Sequence, residues 1–528
     1  MHSPPGSPPD SSRRDLLVLG IIVVLGAWLR FTALANGLPA SPQVDEPEIV
    51  DRALRMMQTG TYNPAPFFDY PTLYIYLQAM TAVARFIWGA MNGLWSSLDQ
   101  LPRSDFYWEF YVWGRAVTAA FGTATIIVTY AIGRRLSTTA AFVAAALLAI
   151  QGLHVRESHY VLTDTPMTFF VALTILLAIR AYERGTVRDY LLAGIATGLA
   201  AATKYNGGVV ILMPLLALLF GVTHPKRAAA FVAIFAGAAG AFIVAAPYTI
   251  LDLPAFLNAF GHLAEMYGRN ATKPEAAYIT YLKHLRNSLG WSGAYSVLIW
   301  GEILVAMAVL GYAAIAFLLR REAARVTWAA CTLFVLVWFM FVSGQNLVYA
   351  RYLLPLLPPL CVMAGGCFAA LIAAIPASGF RSVRPWTFAT LLAVLVMGPP
   401  LAVSRGFARD ISKVRTTDQA YAWLMTNLPA GSKVSLETRL ILLPADHFVS
   451  ANLSRLSDRT FDDYAGDGVQ YLVAVSQSFG PFVNDPAQAA SPVGTAYREL
   501  FRRLELIHSV NSSDQHPGPE VRVYRLVR

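Results

Sequence analysis

A polytopic α-helical membrane protein ending in a small α/β domain is predicted by three observations. Of the 528 residues, 56% are hydrophobic and only 14% are charged, whereas a soluble domain carries roughly 25% charged residues. Mean hydropathy is +0.48. Apolar runs of membrane-crossing length recur over most of the chain, and the last stretch is much more polar. The formal charge of +9 is not a nucleic-acid signal, because the basic residues fall in short clusters between apolar runs, a pattern that sets topology. Cys331, Cys361 and Cys367 all lie inside apolar runs. They read as packing residues, not as a disulfide framework or a paired-cysteine metal site.

Taken in order, residues 1–14 (MHSPPGSPPDSSRR) read as a disordered cytoplasmic tail. A first span is predicted over 15–31. Ala33-Leu-Ala35 imitates a signal-peptide cleavage site, but the many spans that follow favour a retained helix. Further spans are predicted at 110–132, 138–153, 165–182, 189–203, 206–221, 228–249, 293–318, 326–343, 350–374 and 387–404, eleven in all. Residues 71–93 are long enough for a twelfth.

Charge decides the status of 71–93. If it does not cross and the N-terminus is cytoplasmic, Arg13, Arg14, Arg134, Arg135, Arg180, Arg184, Arg188, Lys226, Arg227, Arg320, Arg321, Arg325, Arg381 and Arg384 all fall on the cytoplasmic side. The short connections on the other side then carry one basic residue each: Arg156, Lys204 and Arg351. That is the positive-inside distribution, and letting 71–93 cross would invert every later loop. The segment is therefore placed on the outer interface. Tyr70, Tyr74, Tyr76 and Trp88 suit that boundary, and Arg85 fits poorly in the hydrocarbon centre.

It follows that 36–109 is a first external loop, 250–292 a second, and 405–528 an extracytoplasmic domain. In that domain a helix is predicted over 417–427 and strands over 433–436, 469–475 and 521–527. The domain carries no catalytic motif, and a lid or stabilising cap is its simpler role.

With this topology the unusual polar residues collect on one face. The first loop holds Asp45, Glu46, Glu48 and Asp51 within seven positions. Asp69 and Tyr70 precede Pro71. Arg156, His159 and Asp164 lie between spans three and four, Lys204 and Tyr205 between five and six, and Arg351 and Tyr352 between nine and ten. Carboxylates can accept a proton from a hydroxyl. Arginine and lysine can hold a phosphate, the first through a planar fork and the second as a point charge. Each residue also has a plain role: acids at a helix N-terminus, a lysine snorkelling from a helix end, an arginine bracing a carboxylate. His154 and His159 are five apart, not the i, i+4 pair of a helical zinc site, and suit hydrogen bonding better.

Together these segments resemble the GT-C glycosyltransferases, and more narrowly the bacterial relatives of protein O-mannosyltransferases and of the aminoarabinose transferase that modifies lipid A. Leu29-Arg30-Phe31 followed by Asp45-Glu46-Pro47-Glu48 matches the family's first span and acidic first loop. Asp69-Tyr70-Pro71-Thr72-Leu73-Tyr74 matches its proline-led aromatic segment. Arg115, the stretch from Arg156 to Asp164, Thr203-Lys204-Tyr205-Asn206-Gly207 and Arg351-Tyr352-Leu353-Leu354-Pro355 match in order. The resemblance covers about residues 15–404. Where the aminoarabinose branch has a lysine that helps to handle the donor phosphate, this chain has Asp69, which argues against that sugar.

The resemblance implies a GT-C fold of about eleven transmembrane helices in the cytoplasmic membrane. It implies a polyprenyl-phosphate sugar donor and a hydroxyl acceptor that is a lipid, a glycan or a protein. Asp45 would be the general base of an inverting transfer, with Glu46 and Asp164 orienting it or the acceptor. Lys204, Arg351 and Arg156 would hold the donor phosphate. Glu48, Asp69, Tyr70, His159, Tyr205 and Tyr352 would line the substrate site. No nucleotide motif or cofactor is required; a divalent metal is possible, though no ligand spacing is diagnostic. The competing readings are a multi-span transporter that uses the same charges as a gate and a lipid-binding assembly protein. Few charges interrupt the spans and no internal repeat is found, which disfavours the transporter.

Overall fold

The computed structural model describes residues 9–103, 107–221, 226–268, 276–288, 310, 313, 322–345, 347–374, 385–437 and 440–527. The chain divides into two compact units. One comprises residues 1–32, 49–84 and 113–407; the other comprises 33–48, 85–112 and 408–528.

The first unit is helical. Among the described residues, six helical stretches are long and apolar enough to cross a membrane: Glu109–Gly133, Asp164–Arg184, Arg227–Ala245, Glu322–Ser343, Ala350–Ala374 and Thr387–Asn427, the last interrupted after Ile411 and ending in the second unit's helix Thr416–Asn427. Eleven spans were expected. Helices also stand at Pro9–Phe31, Thr138–Ala149 and Val187–Thr203, and Leu212–Phe220 follows a 3-10 turn, but these are not among the six. The expected span 293–318 lies almost wholly outside the described residues. The segment expected on the outer interface is the helix Thr72–Met91, which is not among the six either.

Small residues let these helices approach closely. A Cβ on Gly198, in Val187–Thr203, would sit 2.2 Å from the carbonyl oxygen of Ala238 on the next long helix. This is backbone-to-backbone packing of the kind that holds helices together in lipid. Buried hydrogen bonds add to it. Tyr74 and Thr118 share one at 2.5 Å, and Thr72 Oγ1 donates to Ala245 O at 3.0 Å. An unpaired polar group in hydrocarbon is costly, so such pairs fix the register.

The second unit is built on a five-stranded sheet: β1 (Lys433–Glu437), β2 (Val449–Leu453), β3 (Tyr471–Val475), β4 (Glu505–Val510) and β5 (Val521–Arg525). The order is β2-β1-β3-β5-β4. β1 runs parallel to β2 and β3, and β5 runs antiparallel to β3 and β4. Alternate residues of β3 face opposite sides. Val473 packs with Ala420 and Leu424 of helix Thr416–Asn427, while Leu472 and Ala474 pack with Tyr497 and Leu500 of helix Pro492–Arg502. The domain thus has a core on each face of its sheet. Glu437, at the end of β1, is buried and accepts from Leu456 N, Val475 N and the Tyr497 hydroxyl. Three donors satisfy the carboxylate, so it serves as a brace.

Two segments far away in sequence belong to this unit. In 85–112, Arg85 is buried and pairs with Glu109 at 2.5 Å, its guanidinium 4.8 Å from the Trp95 ring. In 33–48, Leu442 N donates to Ala40 O at 2.8 Å and Arg415 Nη2 donates to Ser41 O at 2.9 Å.

Candidate active site

In the first unit a buried charge cluster forms around Asp164, the first residue of helix Asp164–Arg184. A carboxylate suits that position, where unpaired N–H groups present partial positive charge. Its side chain is 3% exposed. It receives Lys204 Nζ at 2.7 Å and faces Arg351 Nε at 3.8 Å. Thr165 Oγ1 donates to Glu157 O, which ties the helix start to the preceding turn.

Lys204 reaches Asp164 because the chain breaks there. It is extended (φ −154, ψ 130) between helix Val187–Thr203 and the 3-10 turn Tyr205–Ile211. The turn folds back so tightly that a Cβ on Gly207 would lie 2.5 Å from Ala200 O. Only glycine permits that approach. Arg351 stands on a second 3-10 turn, Ala350–Leu356, anchored where Trp338 Nε1 donates to Tyr352 O at 2.8 Å. Aromatic faces surround the cations. Lys204 Nζ lies 4.8 Å from the Tyr352 ring and 6.0 Å from the Tyr70 ring, and the Arg351 guanidinium lies 4.7 Å from the Tyr349 ring. All are within cation–π range. Two cations thus converge on one carboxylate in a mostly dehydrated site with tyrosine walls. That arrangement can accept an anion such as a phosphate.

Other expected site residues fall nearby or elsewhere. The Tyr205 hydroxyl donates to Phe68 O at 3.0 Å, and its ring packs on Phe256 and Phe260. Asp69 is exposed and close enough to Tyr205 to act on it electrostatically. Arg156 donates from Nε to Glu157 Oε1 at 2.8 Å, so in this state it is engaged by its own neighbour. His159 is buried and lines no open surface. Its Nδ1 meets Val155 O at 2.8 Å, its Nε2 meets Thr32 O at 3.1 Å, and its ring packs on Phe407. Burial pushes its pKa down to about 4, with the Arg30 and Arg115 charges acting in the same direction. Each ring nitrogen faces a backbone carbonyl, and the tautomer sets which of the two donates.

Asp45, Glu46 and Glu48 lie in the second unit's 33–48 segment. Asp45 sits in a turn immediately before the helix Glu46–Thr59. That turn is internally braced: Asp45 N donates to Gln43 Oε1 and Gln43 N donates to Glu46 Oε2, both at 2.7 Å. Glu46 is buried and Asp45 is half-buried.

Sequence reasoning gave no site role to Glu157 or to Arg30, which is a buried anchor. Glu157 is buried beside Arg156. Arg30 donates to Gly26 O, Ala149 O and Leu148 O and meets His154 Nδ1 at 3.0 Å. The available signal was an acid and an arginine standing next to apolar runs. Among the described residues, no group of three or more His, Cys, Asp or Glu side chains is placed to hold a metal ion. Asp164, already countered by two cations, is a poor metal ligand.

Residues 112–250 match the family model described as dolichyl-phosphate-mannose-protein mannosyltransferase. A Candida albicans dolichyl-phosphate-mannose–protein mannosyltransferase 1 is 33% identical over 108 residues, which is 18% of this chain and 12% of that protein. The chain therefore spans only a small part of the length of that curated relative.

Two solved structures share the fold. The Archaeoglobus fulgidus oligosaccharyltransferase in the apo form has a TM-score of 0.54 at 14% identity, covering 96% of this chain and 75% of that one. ArnT from Cupriavidus metallidurans in the apo state has a TM-score of 0.52 at 13% identity, covering 98% of both chains. The first has also been solved with an inhibitory peptide and a dolichol-phosphate, and the second with undecaprenyl phosphate. The family model, the curated relative and these structures are all GT-C glycosyltransferases, and this chain has their fold.

Proposed function

We propose that the protein is an inverting membrane glycosyltransferase. It would move a monosaccharide from a polyprenyl-phosphate donor to a hydroxyl acceptor on the external face of the cytoplasmic membrane. The observation that carries this reading is the buried meeting of Lys204 and Arg351 on Asp164, a place built for one anionic group. The polyprenyl phosphates bound by the fold's relatives support the same donor class. The acidic first-loop turn supports a base.

In the proposed reaction the acceptor oxygen attacks the anomeric carbon from the face opposite the phosphate. Its proton passes to the Asp45 carboxylate. The bond between the anomeric carbon and the phosphate oxygen breaks, and the leaving phosphate takes the electron pair. Lys204 and Arg351 stabilise that developing charge. General-base assistance contributes about 10²–10⁴-fold.

The test is turnover of a radiolabelled polyprenyl-phosphate sugar by the purified protein in lipid, against a panel of sugars and acceptors. Asp45→Asn should fold and lose at least about 10²-fold in turnover. A well-folded Asp45→Asn protein with normal turnover removes Asp45 from the role. Absence of turnover with every donor rejects the enzyme.

A further inference from the structure

The C-terminal domain needs a role, and the contacts of the 33–48 segment supply one. Beyond the bonds within its own turns, this segment bonds to residues of the C-terminal domain. Asn36 Nδ2 donates to Ile411 O, and Ala40 O accepts from Leu442 N at 2.8 Å. Ser41 O accepts from Arg415 Nη2 at 2.9 Å. Gly37 lies against the same guanidinium: it has φ +74, and a Cβ there would overlap Arg415 Nη2 and fall 2.6 Å from Ser41 O. Only glycine fits the conformation and the space.

Arg415 is itself held rigidly. Its backbone N–H donates to Asp418 Oδ2 at 3.0 Å. The next residue, Thr416, donates from N to Pro517 O and from Oγ1 to Pro519 O. Helix Thr416–Asn427 then packs into the sheet core through Ala420 and Leu424. A continuous set of bonds therefore runs from the sheet, through Arg415, to Ser41. Four residues on is Asp45, in a turn closed by Gln43 and Glu46.

We propose that Arg415 is a positioning residue: the C-terminal domain, through Arg415 and the Leu442 N–H, sets the place of the Asp45 turn. This rests on Asp45 being the general base. Arg415 touches no substrate in this scheme. Its effect is geometric, and a misplacement of about 1 Å can cost about 10²-fold in rate.

The experiment is a double-mutant cycle in the labelled-sugar assay on the full-length protein in lipid. Arg415→Met keeps a long unbranched side chain and removes the donor to Ser41 O. Leu442→Pro removes the other donor, so the result does not depend on one variant folding. Each should lower kcat by about 10–100-fold while leaving KM for the donor unchanged. In the Asp45→Asn background neither should lower kcat further, because the group they position is already gone. Losses that simply add, or a raised donor KM with normal kcat, overturn the inference while leaving the glycosyltransferase reading intact. If Asp45→Asn alone keeps normal turnover, the base assignment fails first and the positioning role falls with it.

Discussion

Replacing Asp164 by asparagine tests the charge cluster directly. The carboxylate is buried and lies 2.7 Å from Lys204 Nζ and 3.8 Å from Arg351 Nε. Asparagine keeps the size and one acceptor, but removes the negative charge that both cations face. Removing one partner of a buried ion pair costs about 3–5 kcal/mol, so the ligand-free variant should be less stable by about that amount. A phosphate should restore much of the loss. It also competes with one charge fewer, so the variant should bind polyprenyl phosphate about 10–100-fold more tightly, the equivalent of about 1.4–2.8 kcal/mol.

The assay is thermal unfolding in nanodiscs with and without polyprenyl phosphate, together with direct titration. Ligand at a hundred times its Kd adds about 2.7 kcal/mol. The rise in midpoint should therefore exceed that of wild type at equal ligand concentration. Unchanged stability, or weaker phosphate binding by Asp164→Asn, would refute the view that this carboxylate balances the two cations and competes with an anion for them.

Three further outcomes are expected. Arg351→Lys should weaken polyprenyl-phosphate binding by about 10-fold or more if the guanidinium makes a bidentate contact, since a point charge cannot replace a planar fork; wild-type affinity would reduce Arg351 to a general charge. A tag after Arg528 should be accessible from outside the cytoplasmic membrane and one beside Arg135 should not, following the basic clusters at Arg134, Arg180, Lys226 and Arg381; a protected C-terminus would mean that 71–93 crosses. His159 is neutral when folded, with a pKa of about 4 against about 6.5 unfolded. Its contribution to stability should be complete above about pH 6.5 and be lost as pH falls toward 4, because only the unfolded chain takes up the proton. Acid unfolding compared between wild type and His159→Phe over that range checks this: a variant with the same pH slope contradicts it.

The sequence by itself determined the helical membrane class, because burial in lipid demands long apolar runs that composition reveals directly. It also placed helix Thr416–Asn427 and the strands at 433–437, 471–475 and 521–525 within a few residues. β2 (Val449–Leu453) and β4 (Glu505–Val510) escaped notice: both are largely exposed, so burial imposes little alternation on them. Lys204, Arg351 and Asp164 stood out as lone charges at span ends. That they meet was decided by two local breaks, at Lys204 and at the 3-10 turn from Ala350, which aim side chains from separate helices at one point.

Only the tertiary structure could show that Asp45 belongs with the C-terminal domain. Ser41 and Arg415 are 374 positions apart. A backbone carbonyl leaves no mark in the sequence that its partner could be read from. Hydropathy reports which segments leave water, residue by residue. Hydrogen bonds between distant segments depend on where the folded chain brings them, and that is decided only when the whole chain packs.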